Sequence, residues 1–209
     1  MSSVLPAIEH PLIAEAEKLP QGKYLTPGVH HVDLDKVMIL AESNCEGITN
    51  ADSEYPILGT QALASCLGIA LYNKKTKTAK VVHDIGGNLA ATFEHALKEI
   101  RKNKSDGIEL HLIGAYDDED PRSNYLVEEL EFLLQSVRKQ PHVTLKTFDV
   151  LDRPHPTDFA IDSRNGKLIR GTEDIFAGYD SEMDYFATCA KTSENFDGIQ
   201  MPRQKKRHL

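Results

Sequence analysis

Apolar and polar positions alternate along this chain in two distinct periods, and the places where the period changes mark its elements. Val37-Met38-Ile39-Leu40 is a short β-rich run that predicts a strand, whereas 43–56 is polar, holds Gly47, Asn50 and Asp52, and reads as an exposed loop. Leu67 to Tyr72 is an unbroken apolar run too short for a helix, which suits a strand buried on both faces. A lysine-rich turn at 73–77 leads into a second strand over Thr78 to His83, making a hairpin. The period then lengthens: Leu89, Phe93, Leu97 and Ile100 share one helical face behind a capping Asn88, and Arg101, Lys102 and Lys104 oppose the negative helix end.

Ile108, Leu110 and Leu112 alternate with Glu109 and His111, the two-residue period of a strand with one wetter face. Asp120-Pro121 opens a second helix, with Leu126, Leu130, Leu133, Leu134 and Val137 inward and Glu128, Glu129 and Glu131 outward. Val143 to Val150 reads as a strand, and Phe159 to Asp162 and Lys167 to Arg170 as a hairpin whose Asn165-Gly166 can supply positive φ angles. A short helix over the first twenty residues would use Leu12, Ile13, Ala16 and Leu19 before Pro20 closes it. Residues after Gly171 have no clear period. The order, α, β, β, β, α, β, α, β, β, β, is not a regular βαβ alternation, so a mixed-sheet α+β fold is expected over a doubly wound one.

Length and composition narrow the class. At 209 residues and 40% apolar content the chain fits one domain over 1–209 with a real core. A net charge of −8 argues against a duplex nucleic-acid partner, which needs a basic face. The basic residues Arg203, Lys205, Lys206 and Arg207 crowd into a tail over 200–209, making the body more acidic still. No apolar run is long enough for a membrane span, and the first thirty residues lack the basic start and apolar stretch of a secretory signal. Cys45, Cys66 and Cys189 form no CxxC pair, so a disulfide scaffold and a cysteine zinc site are not expected, and a reducing cytoplasmic compartment is. His30, His31, His95, His111, His142 and His155 show no HxxxH spacing, so they are expected at surfaces or edges, and no metal is called for.

The chemistry concentrates around Cys66. It follows Ala64-Ser65 at the entrance to a buried strand, and His83 ends the strand paired with it. A thiol requires an adjacent imidazole to act as a thiolate near neutral pH, because a free cysteine titrates near 8.5. Thr60 can orient that imidazole through its hydroxyl or its backbone carbonyl, and the small residues Ala62, Ala64 and Ser65 let a substrate carbonyl approach backbone N–H groups.

The run Ile57-Leu58-Gly59-Thr60-Gln61-Ala62-Leu63-Ala64-Ser65-Cys66, followed by His83, resembles the catalytic region of the protein N-terminal asparagine amidohydrolases. It is similar, too, to the related CheD chemotaxis-receptor glutamine deamidases, which place threonine, then cysteine six residues on, then histidine seventeen beyond; Thr60, Cys66 and His83 keep both intervals. The likeness extends through Ile108 to Gly114, the acidic loop Asp117 to Asp120 and the 159–169 hairpin, and spans roughly 37–170. It implies packed mixed β-sheets with helices on the outer face. It also implies hydrolysis of an asparagine or glutamine carboxamide on a protein or peptide, without metal or organic cofactor, with Cys66 as nucleophile, His83 as acid and base, and Thr60 as orienter. N-terminal asparagine is preferred slightly over internal glutamine. An amine-accepting transferase and a non-catalytic binding module remain open as alternatives. Ser65 is a candidate for the oxyanion or substrate contact, and Asp84, or the 117–120 loop, for a substrate ammonium. The oligomeric state is left open.

Overall fold

A computed structural model describes residues 16, 18, 19, 32–40, 45–103, 105–115, 121–150, 157–171 and 199–200. The expected N-terminal helix falls mostly outside them, as do the 117–120 loop, the stretch after 171 apart from 199–200, and the basic tail. Ala16 and Leu19 are described, and both are buried with a turn hydrogen bond between them.

The strands are β1 (Val37–Leu40), β2 (Cys45–Asn50), β3 (Ile57–Leu63), β4 (Leu67–Asn73), β5 (Thr78–Asp84), β6 (Ile108–Gly114), β7 (Val143–Val150), β8 (Thr157–Asp162), β9 (Lys167–Gly171) and β10 (Ile199–Gln200). Two helices, α1 (Leu89–Ile100) and α2 (Pro121–Arg138), lie between β5 and β7 on either side of β6. The strands form two five-stranded mixed sheets, ordered β2-β5-β4-β6-β7 and β10-β1-β3-β8-β9. In the first only β6 and β7 run parallel, in the second only β1 and β3. The fold class is α+β, as the pattern implied.

Burial follows the strand period. On β4, Leu67, Ile69 and Leu71 pack with Phe93, Leu97, Leu130 and Leu134 of the helices, so both helices cover one face of the first sheet. Ala70 and Tyr72, together with Val81 and Ile113, turn the other way and meet Leu58, Phe159 and Ile161 of the second sheet. A third cluster of Val37, Ile39, Ile57, Ala160 and Ile169 coats the outside of that sheet with Val32. β4 is buried along its whole length, the expected two-sided strand. Truncating the fully buried Phe93 to alanine would cost about 3–5 kcal/mol.

Helix α1 begins as expected, with Asn88 Oδ1 accepting the Ala91 N–H at 3.1 Å. Glu129, expected in water, instead accepts the Leu89 N–H at 2.9 Å and ties α2 to the start of α1. In the β8–β9 turn only Gly166 has a positive φ, +74°, and Asn165 does not.

Three expectations fail. Residues 45–50, read as loop, form β2: Cys45, Gly47 and Thr49 point inward while Glu46, Ile48 and Asn50 are more exposed, a two-residue period hidden by polar composition. Thr60, on a segment not counted as a strand, lies in the middle of β3, between β1 and β8. His111, expected at a surface or edge, is buried on β6, its Nδ1 2.9 Å from Thr147 Oγ1 on β7. The wetter face of that strand is an interior one.

Candidate active site

Thr60 and His83 belong to different sheets, and the sandwich brings them together. Leu58 and Thr60 alternate on the inner face of β3, while Ala79, Val81 and His83 alternate on the inner face of β5. Both side chains are buried, and Thr60 Oγ1 lies 2.8 Å from His83 Nδ1. Of the two ways Thr60 could hold the imidazole, the structure uses the hydroxyl. The bond engages Nδ1 and leaves Nε2 as the nitrogen for proton transfer.

Burial pushes the His83 pKa down from 6.5 to about 4. The imidazole is therefore neutral at pH 7, suited to taking a proton rather than to holding a preformed thiolate as an imidazolium.

Cys66 closes the bend between β3 and β4, half-buried, and packs against the cluster between the sheets. Across the first sheet His83 stands opposite Gly68 on β4 and Cys45 on β2. Cys66 precedes Gly68 by two residues and lies at the entrance of the strand that pairs with the one bearing His83. A Cβ at Gly68 would press on Phe159 and Leu63 between the sheets, so any larger residue there forces those side chains to shift.

The backbone around the bend is held in conformations that side chains resist. Ala62 has φ +57° at a bulge in the β3–β8 ladder between Thr60 and Leu63, and Gly114 and Ala115 have φ of +101° and +51°. The Ala115 N–H donates to the Cys66 carbonyl at 2.7 Å, and a Cβ on Gly114 would lie 2.3 Å from that same oxygen. Backbone strain of this kind persists only where the surroundings enforce it, and it gathers at functional sites.

Ser65 lies beside Cys66 in the bend, partly buried. Asp84 is buried on the opposite face of β5 from His83: it pairs in register with Leu67, a residue of the helix-side core. Its Oδ1 accepts the Gly86 N–H at 2.7 Å, organising the turn into α1. The structure thus joins Thr60 to His83, sets Ser65 and Cys66 at the neighbouring strand entrance, and turns Asp84 away.

Sequence reasoning missed the charged cluster on the helix side of β5. Lys80 is buried, with its Nζ 3.0 Å from Glu46 Oε2 and hydrogen-bonded to Glu99 Oε2, and His95 Nε2 lies 3.7 Å from Glu46 Oε1. Glu46, His95 and Glu99 are the one grouping of metal-ligand types among the described residues. The Lys80 ammonium already bridges both carboxylates, offsets half of their charge and would repel a cation. Only the His95/Glu99 spacing of i, i+4 hinted at it in the sequence.

The family described as protein N-terminal asparagine amidohydrolase matches this chain over residues 28–163, which include β1 through β8. The chain belongs to that family. Thr60, Cys66 and His83 all fall inside the matched span, and the family's name assigns amidohydrolase chemistry at this level. Curated proteins provide no match. Among solved structures, the chain is similar to the crystal structure of Neisseria meningitidis protein NMB0706, of family DUF152. The identity is 11%, coverage is 67% of this chain and 68% of that one, and the TM-score is 0.34, too loose to carry an argument. Among the described residues no helix is long and apolar enough to cross a membrane.

Proposed function

We propose that this member of the amidohydrolase family hydrolyses the side-chain carboxamide of an N-terminal asparagine on a protein or peptide, with Cys66 as nucleophile. The observation that carries the reading is the buried Thr60–His83 hydrogen bond beside the strand entrance that holds Cys66. If His83 Nδ1–H donates to Thr60 Oγ1, the Nε2 lone pair accepts the Cys66 thiol proton as sulfur attacks the carboxamide carbon. The imidazolium then protonates the amide nitrogen, the C–N bond breaks, ammonia leaves and a thioester remains. Water, deprotonated by the same Nε2, attacks the thioester carbon; the C–S bond breaks, the proton returns to sulfur, and the peptide leaves with aspartate at its N-terminus. Ser65, beside the nucleophile in the bend, is the proposed oxyanion contact. The Ala62 and Ala115 N–H groups are already engaged.

A base with a pKa near 4 is weak in the free protein, yet transfer from a thiol becomes easier once the emerging thiolate sits beside the imidazolium. The odd, widely spaced cysteines favour a reducing cytoplasmic compartment for this activity. Asp84 lies on the helix-side face of β5, which leaves the acidic 117–120 segment, outside the described residues, as the sequence's candidate for the substrate ammonium.

The test is a pair of peptides beginning with asparagine, one with a free amino terminus and one acetylated. The free peptide should release ammonia and gain about one mass unit, and both changes should vanish with Cys66→Ala. Equal rates on the two peptides would overturn the N-terminal reading in favour of internal deamidation, and an active Cys66→Ala would remove the mechanism.

A further inference from the structure

The five residues from Ala62 to Cys66 carry the chain from one sheet to the other, and both ends of that passage are pinned. At the far end the Cys66 carbonyl receives the Ala115 N–H. At the near end the Ala62 N–H donates to Asp158 Oδ1 at 2.9 Å, a contact that crosses from β3 to β8. Ala62 is left-handed, with φ +57°, at the bulge where the β3–β8 register shifts. An alanine enters that region only under constraint, and the Asp158 side chain supplies an acceptor for its backbone N–H within the bulge. We infer that Asp158 is a positioning residue for Cys66: its carboxylate fixes the left-handed Ala62 and thereby sets where the following bend delivers the thiol relative to His83.

The inference rests on the proposed role of Cys66. It concerns a residue two places from the chemistry: Asp158 acts through Ala62, and Thr60 keeps its bond to His83 without it. The geometry makes two demands. What matters at position 158 is a hydrogen-bond acceptor, so Asp158→Asn, which keeps an oxygen, should retain function. What matters at position 62 is the left-handed conformation, so glycine, which adopts positive φ freely, should make the clamp dispensable.

Four proteins test this: wild type, Asp158→Ala, Asp158→Asn, and the double variant Asp158→Ala/Ala62→Gly. Small misplacement of a reacting group can cost up to about a hundredfold in rate. Asp158→Ala is therefore expected to lower kcat on a free N-terminal asparagine peptide by roughly tenfold or more, with little change in KM. Asp158→Asn should stay near wild type, and the double variant should recover most of the loss. It also covers the case in which Asp158→Ala does not fold. The iodoacetamide reaction rate of Cys66, read by mass spectrometry with Cys45 as internal control, should follow the same order. Wild-type kcat and alkylation in Asp158→Ala would overturn the inference. So would an Asp158→Asn as impaired as Asp158→Ala, because charge and not an acceptor would then be the requirement, or a double variant with no recovery. Should the wild-type protein hydrolyse no such peptide, the proposed function falls, while the alkylation series still decides the role of Asp158.

Discussion

Two buried, neutral histidines make this fold sensitive to mild acid. Burial holds both His83 and His111 down from 6.5 to about 4; at His111 the nearby Glu109 charge opposes the effect and Lys146 adds to it. In the unfolded chain each imidazole binds a proton near pH 6.5, and in the folded protein it does so only near 4. The unfolded state therefore takes up more protons as pH falls through that window. The native contribution is complete above 6.5, shrinks from there to about 4, and changes little below. Over the whole window each histidine is worth about 3 kcal/mol, and between pH 7 and pH 5 about 2 kcal/mol. Two such groups remove about 4 kcal/mol by pH 5, a large part of the 5–15 kcal/mol by which domains are stable.

Urea unfolding at pH 7, 6 and 5 reads this directly: at a slope near 2 kcal/mol per molar the midpoint should fall by about 2 M. Asp106 and Asp162 do not confuse the interval. Asp106 is held below 3.8, first by the Asn103 N–H, and Asp162 is too, where bonds from Arg164 outweigh the opposing effect of burial; the stability they confer is lost only below that value. His111→Gln, which can still bond Thr147, should roughly halve the pH dependence. A midpoint that stays level from pH 7 to 5, or a His111→Gln slope equal to wild type, would refute the reasoning.

Thr60→Ala should reduce kcat by about 10²-fold or more through loss of the fixed tautomer, and Thr60→Ser should restore most of it; steady-state kinetics on the free peptide decides. Cys66, half-buried, should alkylate with iodoacetamide faster than the fully buried Cys45, as mass spectrometry of the native protein reads; a slower Cys66 would count against its role as nucleophile. Gly68→Ala, whose methyl group meets Phe159, should cost about 1–3 kcal/mol in urea unfolding. Gly114→Ala should be worse, since its methyl group meets backbone at the Cys66 carbonyl and its φ is +101°.

What could be read from the sequence was what is local. The β4–β5 hairpin has a short turn and an unbroken apolar run in β4, and α1 has its cap and its stripe, so both were visible in windows of a dozen residues. β3 was not, because Gly59-Thr60 looks like a turn and its partners lie in β1 and, about a hundred residues away, in β8. β2 hid behind Glu46, Thr49 and Asn50, whose polar groups are accommodated by Lys80, by the Tyr55 carbonyl and by a turn N–H of Asp52. His111 and Lys80 were misjudged or overlooked for the same reason: polar side chains are expected outside, and only the structure supplies the Thr147 hydroxyl or the paired glutamates that let them in. The spacing of Thr60, Cys66 and His83 carried the site, yet it could not tell which group of Thr60 touches the imidazole.

That Thr60 and His83 come from separate sheets has a kinetic corollary. The hairpin bearing His83 closes a short loop and can form early, whereas Thr60 arrives only after β3 has found β1 and β8 and the two sheets have stacked. Competence should thus emerge as one of the last events of refolding, after secondary structure has recovered. Any shear between the layers would silence the protein before it melts.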